Sequence, residues 1–254
     1  MKNLILNGCN GHMGRVITQC VNERSDCSII AGFDINDKSY DVYPVYTSPD
    51  EFEGKADAII DFSHPSALYP LLDYAVKNNI PSVISTTGLN EEMIQAVHQA
   101  SKNIPVFFSA NMSIGVNLLC ELAKSAAAVL GKSFDIEIIE QHHNQKIDAP
   151  SGTALMLADS ISSVLEEPAR YMYDRHSQRK KREKNEIGIH SVRGGTIVGD
   201  HEIIFAGRDE VISMRHTAQS KDIFAEGSIN AALFLCGKEP GLYNMKDLVL
   251  AAQK

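Results

Sequence analysis

The sequence has no tryptophan, no Cys-x-x-Cys pair and no hydrophobic run long enough to span a bilayer. Its five cysteines, Cys9, Cys20, Cys27, Cys120 and Cys236, are odd in number and scattered, which excludes a zinc ribbon or a disulfide framework. They read as small buried apolar residues in a reducing compartment. The start, "MKNLILNGCNG", runs straight into a glycine-rich turn without the hydrophobic centre of a secretory signal, so a cytoplasmic, non-membrane protein is expected. An excess of positive charge is also lacking: the net charge of −8 argues against bulk nucleic-acid binding. It does not exclude a small anion, which is held by local cations. What is present is a 254-residue chain, 44% hydrophobic and 22% charged, enough for one large α/β domain or two smaller ones.

Short apolar runs at Leu4–Leu6, Ile29–Phe33, Ala58–Ile60, Val83–Ile84 and Val106–Phe108 alternate with helical patterns at Met13–Val21, Ala67–Lys77 and Glu91–Ala100. That alternation predicts a doubly wound parallel sheet of the Rossmann type. After about Ser113 the pattern changes. A long Ala-rich helix (Gly115–Leu130), a strand (Phe134–Glu140) and a helix (Thr153–Leu165) precede a polar segment, Glu166–Glu186. Three strand-like runs follow at Ile187–Val192, Glu202–Ala206 and Val211–Arg215, which predicts a second, α+β domain with a mixed or antiparallel sheet. The last helix, Phe224–Leu235, has no expected strand after it and is placed to return to the first domain.

The turn "NGCNGHMGR" sets Gly8, Gly11 and Gly14 between a strand and a helix. Backbone without Cβ lets a pyrophosphate come close, and the helix start offers unpaired N–H groups. The spacing is G-x-x-G-x-x-G, and a tight turn with no ligand is the plain alternative. Asp34 favours the dinucleotide, because it ends the second strand where an acid accepts from a ribose diol. It would also repel a 2′-phosphate, and Ile35 and Asn36 follow it with no adjacent arginine. NADH is therefore preferred over NADPH, although Lys38 is near enough to contribute.

The segment "IEQHHNQKIDAPSGTAL" (Ile139–Leu155) concentrates His142, His143 and Lys146 ahead of a helix start at Ser151, Gly152 and Thr153. Adjacent histidines on extended chain point to opposite faces, and a lysine is a poor neighbour for a cation, so no metal is expected. A solvated loop after a strand is the bland alternative. A helix start beside a lysine and a histidine makes a carboxylate pocket, with a second histidine free to move a proton. Ser151 or Thr153 would equally cap the helix. Together the two features imply a reductase for a carboxylated substrate.

These motifs resemble one family. "GCNGHMGR" (Gly8–Arg15), "DFSHP" (Asp61–Pro65), "STTG" (Ser85–Gly88), "SANMSIGVN" (Ser109–Asn117) and "EQHHNQKIDAPSGTA" (Glu140–Ala154) are similar, in order, to those of the 4-hydroxy-tetrahydrodipicolinate (dihydrodipicolinate) reductases of diaminopimelate and lysine biosynthesis. The resemblance implies a Rossmann domain of residues 1–113 and 221–254, a substrate-binding and oligomerisation domain of 114–220, and a homotetramer. It implies dinucleotide contacts from Gly8, Cys9, Asn10, Gly11, His12 and Met13, from Asp34, from Ser85, Thr86 and Thr87, and from Ser109, Ala110, Asn111 and Met112. It assigns His142 as proton donor or acceptor and Lys146 as proton donor. His143, Gly152 and Thr153, with Ser151 at the same helix start, fall to the substrate carboxylates. The implied substrate is a cyclic imine dicarboxylate whose hydroxyl leaves as water, reduced by NADH or NADPH without a metal. His12, Ser85 and Lys221 depart from the family's frequent arginine, glycine and arginine, which touches cofactor preference and not the central site.

Two other functions compete. An amino-acid dehydrogenase of the aspartate or homoserine kind leaves the His142–Lys146 segment unexplained. A non-catalytic, dinucleotide-sensing regulator would keep Gly8–Gly14 and lose the proton-transfer residues. The basic run Arg179–Lys184 is expected to be a solvated loop, since it lacks the flanking aromatics of a nucleic-acid contact. His64, after the third strand in "DFSHP", is read equally as a residue near the cofactor and as an ordinary loop histidine. His98 is expected to be an exposed helix residue, and His190, His201 and His216 are expected to pair within a sheet or interface.

Overall fold

The computed structural model describes residues 1–109 and 111–252. The chain divides into two compact units, Met1–Ile114 with Lys221–Lys254, and Gly115–Ser220. It opens with β1 (Lys2–Asn7), α1 (His12–Asn22), β2 (Cys27–Phe33), β3 (Val45–Tyr46), β4 (Ala58–Asp61), α2 (Leu68–Lys77), β5 (Ser82–Ile84), α3 (Glu91–Ala100) and β6 (Pro105–Phe108). The middle stretch holds α4 (Ile114–Leu130), β7 (Asp135–His142), α5 (Gly152–Ser162), β8 (Arg170–Met172), β9 (Glu186–Arg193), β10 (Gly199–Ala206) and β11 (Val211–Ala218). The last stretch is α6 (Asp222–Leu235), β12 (Gly241–Tyr243) and α7 (Met245–Ala251).

In the first unit seven parallel strands lie in the order β12-β6-β5-β4-β1-β2-β3. The central strands are apolar at successive positions because helices cover both faces. Leu4, Leu6, Ile60 and Val83 pack beneath Ile17 of α1 and Ala225, Ile229 and Ala232 of α6. Their neighbours Ile5, Ile59 and Ile84 point the other way, onto Leu68 and Leu71 of α2 and Val97 of α3. The returning helix α6 thus supplies a large part of one core face. Its Gly227 allows the close approach, since a Cβ there would lie 1.7 Å from the Met112 carbonyl oxygen.

The chain does not end at that helix, as the sequence reading expected. β12 pairs with β6 at the sheet edge, and α7 follows under a capping box from Asn244 and Asp247. The two-residue β3 and the three-residue β8 are also additions to the expected set.

The second unit carries a mixed sheet of order β11-β10-β7-β9-β8, with β7–β9 and β8–β9 parallel and the other pairs antiparallel. Ile136, Ile138, Ile187, Ile189, Ile203 and Phe205 form one face of it, buried against α4 and α5. The basic run is not simply a solvated loop. Arg182 donates from Nε to Glu137 (3.0 Å), from Nη1 to Asp135 (2.9 Å) and from Nη2 to the Ile136 carbonyl (3.0 Å), anchoring the segment to β7, while Arg179 and Lys181 stay exposed. Among the described residues no helix is long and apolar enough to cross a membrane.

Candidate active site

At the glycine-rich turn, Gly8 sits at φ +79°, and a Cβ there would lie 2.6 Å from the Phe62 carbonyl oxygen. A Cβ on Gly14 would lie 2.3 Å from the Gly8 carbonyl oxygen, so both glycines are needed for the tight passage from β1 into α1. Gly11 is the N-cap of α1 and provides no side-chain cap, which leaves the first-turn N–H groups to an external acceptor. Asn10 N–H donates to Asp34 Oδ2 at 2.9 Å, bringing the acid at the end of β2 against the turn. An uncapped helix start, a turn closed to any Cβ and an adjoining carboxylate fit a dinucleotide.

The side chains in this set do different things. Cys9 is buried in the core and burial raises its thiol to about 12, so the turn presents its backbone. His12 is exposed, and Met13 packs at the edge of the core. Met112 is buried in the same core, so its side chain is packing. Ser109 Oγ donates to the Asn111 carbonyl (3.0 Å), Asn111 Oδ1 accepts from Ser113 N–H (2.8 Å), and Ala110 lies outside the described residues. One cation was missed in sequence: Arg15 lies 4.5 Å above the Tyr40 ring, with Lys38 5.2 Å from it.

Beneath the ends of β1, β4 and β5 sits Asp61, fully buried. Its Oδ1 accepts from Asn7 Nδ2 (2.8 Å), Ser63 Oγ (2.6 Å) and Ser63 N–H (3.1 Å), and its Oδ2 from Thr86 Oγ1 (2.6 Å). Thr86 is therefore a buried strut through its hydroxyl, whereas Thr87 is exposed and Ser85 is half-buried. His64 caps the short turn after β4, accepting from Ser66 N–H.

In the second unit β7 runs on through His142, beyond the Glu140 end expected from sequence. Glu140 and His142, two apart, share the helix-covered side of the sheet. His142 Nδ1 lies 2.6 Å from Glu140 Oε2, with both groups buried. Arg193 forks onto the same carboxylate, Nη1 to Oε2 at 2.8 Å and Nη2 to Oε1 at 2.7 Å. Glu140 Oε1 also accepts from Ser151 N–H (3.2 Å), which ties His142 to the start of α5. Burial alone would raise the Glu140 carboxyl, but Arg193, Ser191 and His142 hold it down at about 2.

Ser151 caps α5, accepting from Ala154 N–H (3.2 Å), and its hydroxyl meets His201 Nε2 at 3.0 Å. Burial lowers His201 to about 4, keeping it neutral. A Cβ on Gly152 would meet nothing within 4 Å, so the helix start opens onto free space, with Thr153 half-buried beside it. His143 is half-buried on the turn that follows β7. Lys146 Nζ pairs with Asp148 Oδ1 at 2.8 Å, and Arg193 Nη2 donates to the Asp148 carbonyl at 2.7 Å. His142, the α5 start and the Lys146 loop are thus gathered around Glu140 and Arg193. The sequence treats Glu140 as a strand end, gives His201 only as a residue paired within a sheet or interface, and does not single out Arg193. Among the described residues no three His, Cys, Asp or Glu side chains form a metal-holding group.

A doubly wound parallel sheet with this turn, in a chain that also gathers imidazole and ammonium side chains at a helix start in a second unit, defines a pyridine-nucleotide oxidoreductase. Comparison with known proteins narrows the class. The family model for dihydrodipicolinate reductase, N-terminus, matches residues 2–112, and that for its C-terminus matches residues 115–249. The 4-hydroxy-tetrahydrodipicolinate reductase of Caldanaerobacter subterraneus subsp. tengcongensis is 53% identical, over 98% of both chains. That of Clostridium novyi is 48% identical, again over 98% of both. Among solved structures, the dipicolinate-bound dihydrodipicolinate reductase from Paenisporosarcina sp. TG-14 superposes with a TM-score of 0.81 at 26% identity, covering 96% of this chain and 97% of that one. The chain belongs to the dihydrodipicolinate reductase family.

Proposed function

We propose that this protein reduces 4-hydroxy-tetrahydrodipicolinate to tetrahydrodipicolinate, with loss of water, in the route to diaminopimelate and lysine. Beyond family membership, one observation carries the reading: Glu140 holds both His142 and the N–H of Ser151, so a proton-moving imidazole and an anion-accepting helix start share one anchor. The reduced nicotinamide, when bound, supplies hydride to C4 of the conjugated ring. The chain's own residues do the rest. The Gly152 and Thr153 N–H groups and His143 hold the substrate carboxylates, stabilising the charge that develops as the ring is reduced. His142 gives or takes a proton, and Lys146, with Asp148 as counter-ion, donates one.

The dinucleotide lies on the Gly8–Met13 turn with its ribose at Asp34, flanked by the segments Ser85–Thr87 and Ser109–Met112. NADH is the preferred form because Asp34 would repel a 2′-phosphate. Arg15 and Lys38 on the Tyr40 ring soften that repulsion, so the preference in kcat/KM is about tenfold or less. A homotetramer built on the second unit, in the cytoplasm, completes the reading. The sheet face turned away from α4 and α5 carries Ile139, Val192 and Ile204, apolar residues suited to a subunit contact.

The test is dinucleotide oxidation with substrate freshly generated by the preceding synthase, run with both dinucleotides. Turnover is expected, with His142→Ala and Lys146→Ala each lowering kcat by roughly 100-fold or more while dinucleotide affinity stays nearly constant. Absence of turnover by the folded protein would favour the regulator. An equal loss of dinucleotide binding in both variants would sink the division into two sites.

A further inference from the structure

We infer that Glu140 and Arg193 are positioning residues that fix His142 in one ring orientation and one tautomer, with the proton on Nδ1 and Nε2 left to act on substrate. The inference rests on the reading of His142 as a proton-transfer group and adds what makes it one. A carboxylate has about four lone-pair directions. Here Oε2 receives His142 Nδ1 (2.6 Å) and Arg193 Nη1 (2.8 Å), while Oε1 receives Arg193 Nη2 (2.7 Å) and Ser151 N–H (3.2 Å). The guanidinium and the amide can only donate and the Ser191 side chain also hydrogen-bonds Glu140, so the carboxylate stays ionised and is an acceptor at each of these contacts. His142 Nδ1 must then be the donor, and the neutral ring keeps its lone pair on Nε2.

Orientation follows from the same contacts. The two-pronged Arg193 contact sets the plane of the carboxylate, and the β7–β9 register places Arg193 directly opposite His142. The His201 ring on β10 stands edge-to-face at 5.2 Å and restrains a flip of His142. At the far side of the ring, Gly199 contributes no side chain; a Cβ there would lie 3.0 Å from Nε2 and crowd the working nitrogen. The groups facing His142 are therefore Glu140 on its own strand, Arg193 on β9, His201 on β10 and, through Glu140, Ser151 at the α5 start. Only Glu140 and Arg193 carry fixed charge, and they neutralise each other.

The experiment is ring-¹⁵N NMR of histidine-labelled protein, with His142 assigned by its loss in His142→Gln. The expected result in the wild type is the Nδ1–H form for neutral His142. An Nε2–H form would overturn the inference without recourse to any Glu140 variant. Glu140→Gln, checked for fold by circular dichroism and its unfolding transition, is expected to mix the tautomers and lower kcat about 100-fold with little change in substrate KM. If that variant keeps the wild-type tautomer and kcat and loses only stability, the carboxylate is structural and the inference fails. Failure of the underlying reading looks different: His142→Gln would then turn over normally, whatever the wild-type tautomer.

Discussion

Asp61 in the first unit and Glu140 in the second are both fully shielded from solvent, and both accept hydrogen bonds at each oxygen. Their proton affinities nevertheless move in opposite directions. Burial raises Asp61 above its ordinary 3.8, and the donors Ser63, Thr86 and Asn7 offset that only in part. Burial pulls Glu140 the same way, but Arg193, with Ser191 and His142, reverses it to about 2. The number of donors does not separate the two sites; the presence of a cation does. Asp61 is a neutral-donor knot that ties strand ends together, while Glu140 stays ionised and can order an imidazole.

The comparison is sharpest where the ion pair is broken. Glu140→Ala leaves the Arg193 guanidinium without its carboxylate and should cost about 3–5 kcal/mol in denaturant unfolding. Replacing both partners by apolar residues, Glu140→Leu with Arg193→Met, should recover most of that loss; a double variant as unstable as the sum of the singles would break the account. At the other carboxyl, Thr86→Val removes a buried donor from Asp61 Oδ2 and should cost roughly 1–2 kcal/mol.

Asp61→Asn has the smallest expected effect, within about 1 kcal/mol, because an amide keeps most of the same partners. Its sign depends on pH. A carboxyl whose folded pKa lies above 3.8 favours folding at low pH, and that contribution is lost as pH rises through the folded value. The asparagine variant should therefore gain on the wild type as pH increases over that window. Glu140 runs the other way, contributing above about 4.5 and losing that contribution as pH falls toward 2. Parallel unfolding curves of wild type and Asp61→Asn across pH would remove the distinction.

The parallel sheet was legible because strands buried on both faces are written as unbroken apolar runs, as at Leu4–Leu6 and Ala58–Ile60. β3, β8 and β12 were not, since two or three residues paired mainly through backbone leave little side-chain pattern. The end of the chain did carry a signal: Asn244 and Asp247 spell a capping box ahead of Met245–Ala251. Within the candidate site, His142 was legible as a chemical residue but its pairing with Glu140 was not, because the expected strand stopped at Glu140, whereas β7 runs on through His142 and puts both side chains on one face. Arg193 was not, because it reaches them only through the β7–β9 register, about fifty positions on. The basic run misled for a related reason, with Arg182 drawn inward by Asp135 and Glu137 and its neighbours left outside.

The returning segment has a consequence for synthesis. A quarter of the buried residues on one core face of the first unit, from Ala225 to Leu235, and the edge strand that pairs with β6 are made only after the whole of Gly115–Ser220 has been synthesised. The second unit, contiguous in sequence, can close as soon as β11 emerges. The first must wait with Leu4, Leu6 and Ile60 uncovered on the α6 side, so the earliest residues to be translated belong to the last unit to be finished, and chaperone demand falls on the amino-terminal half.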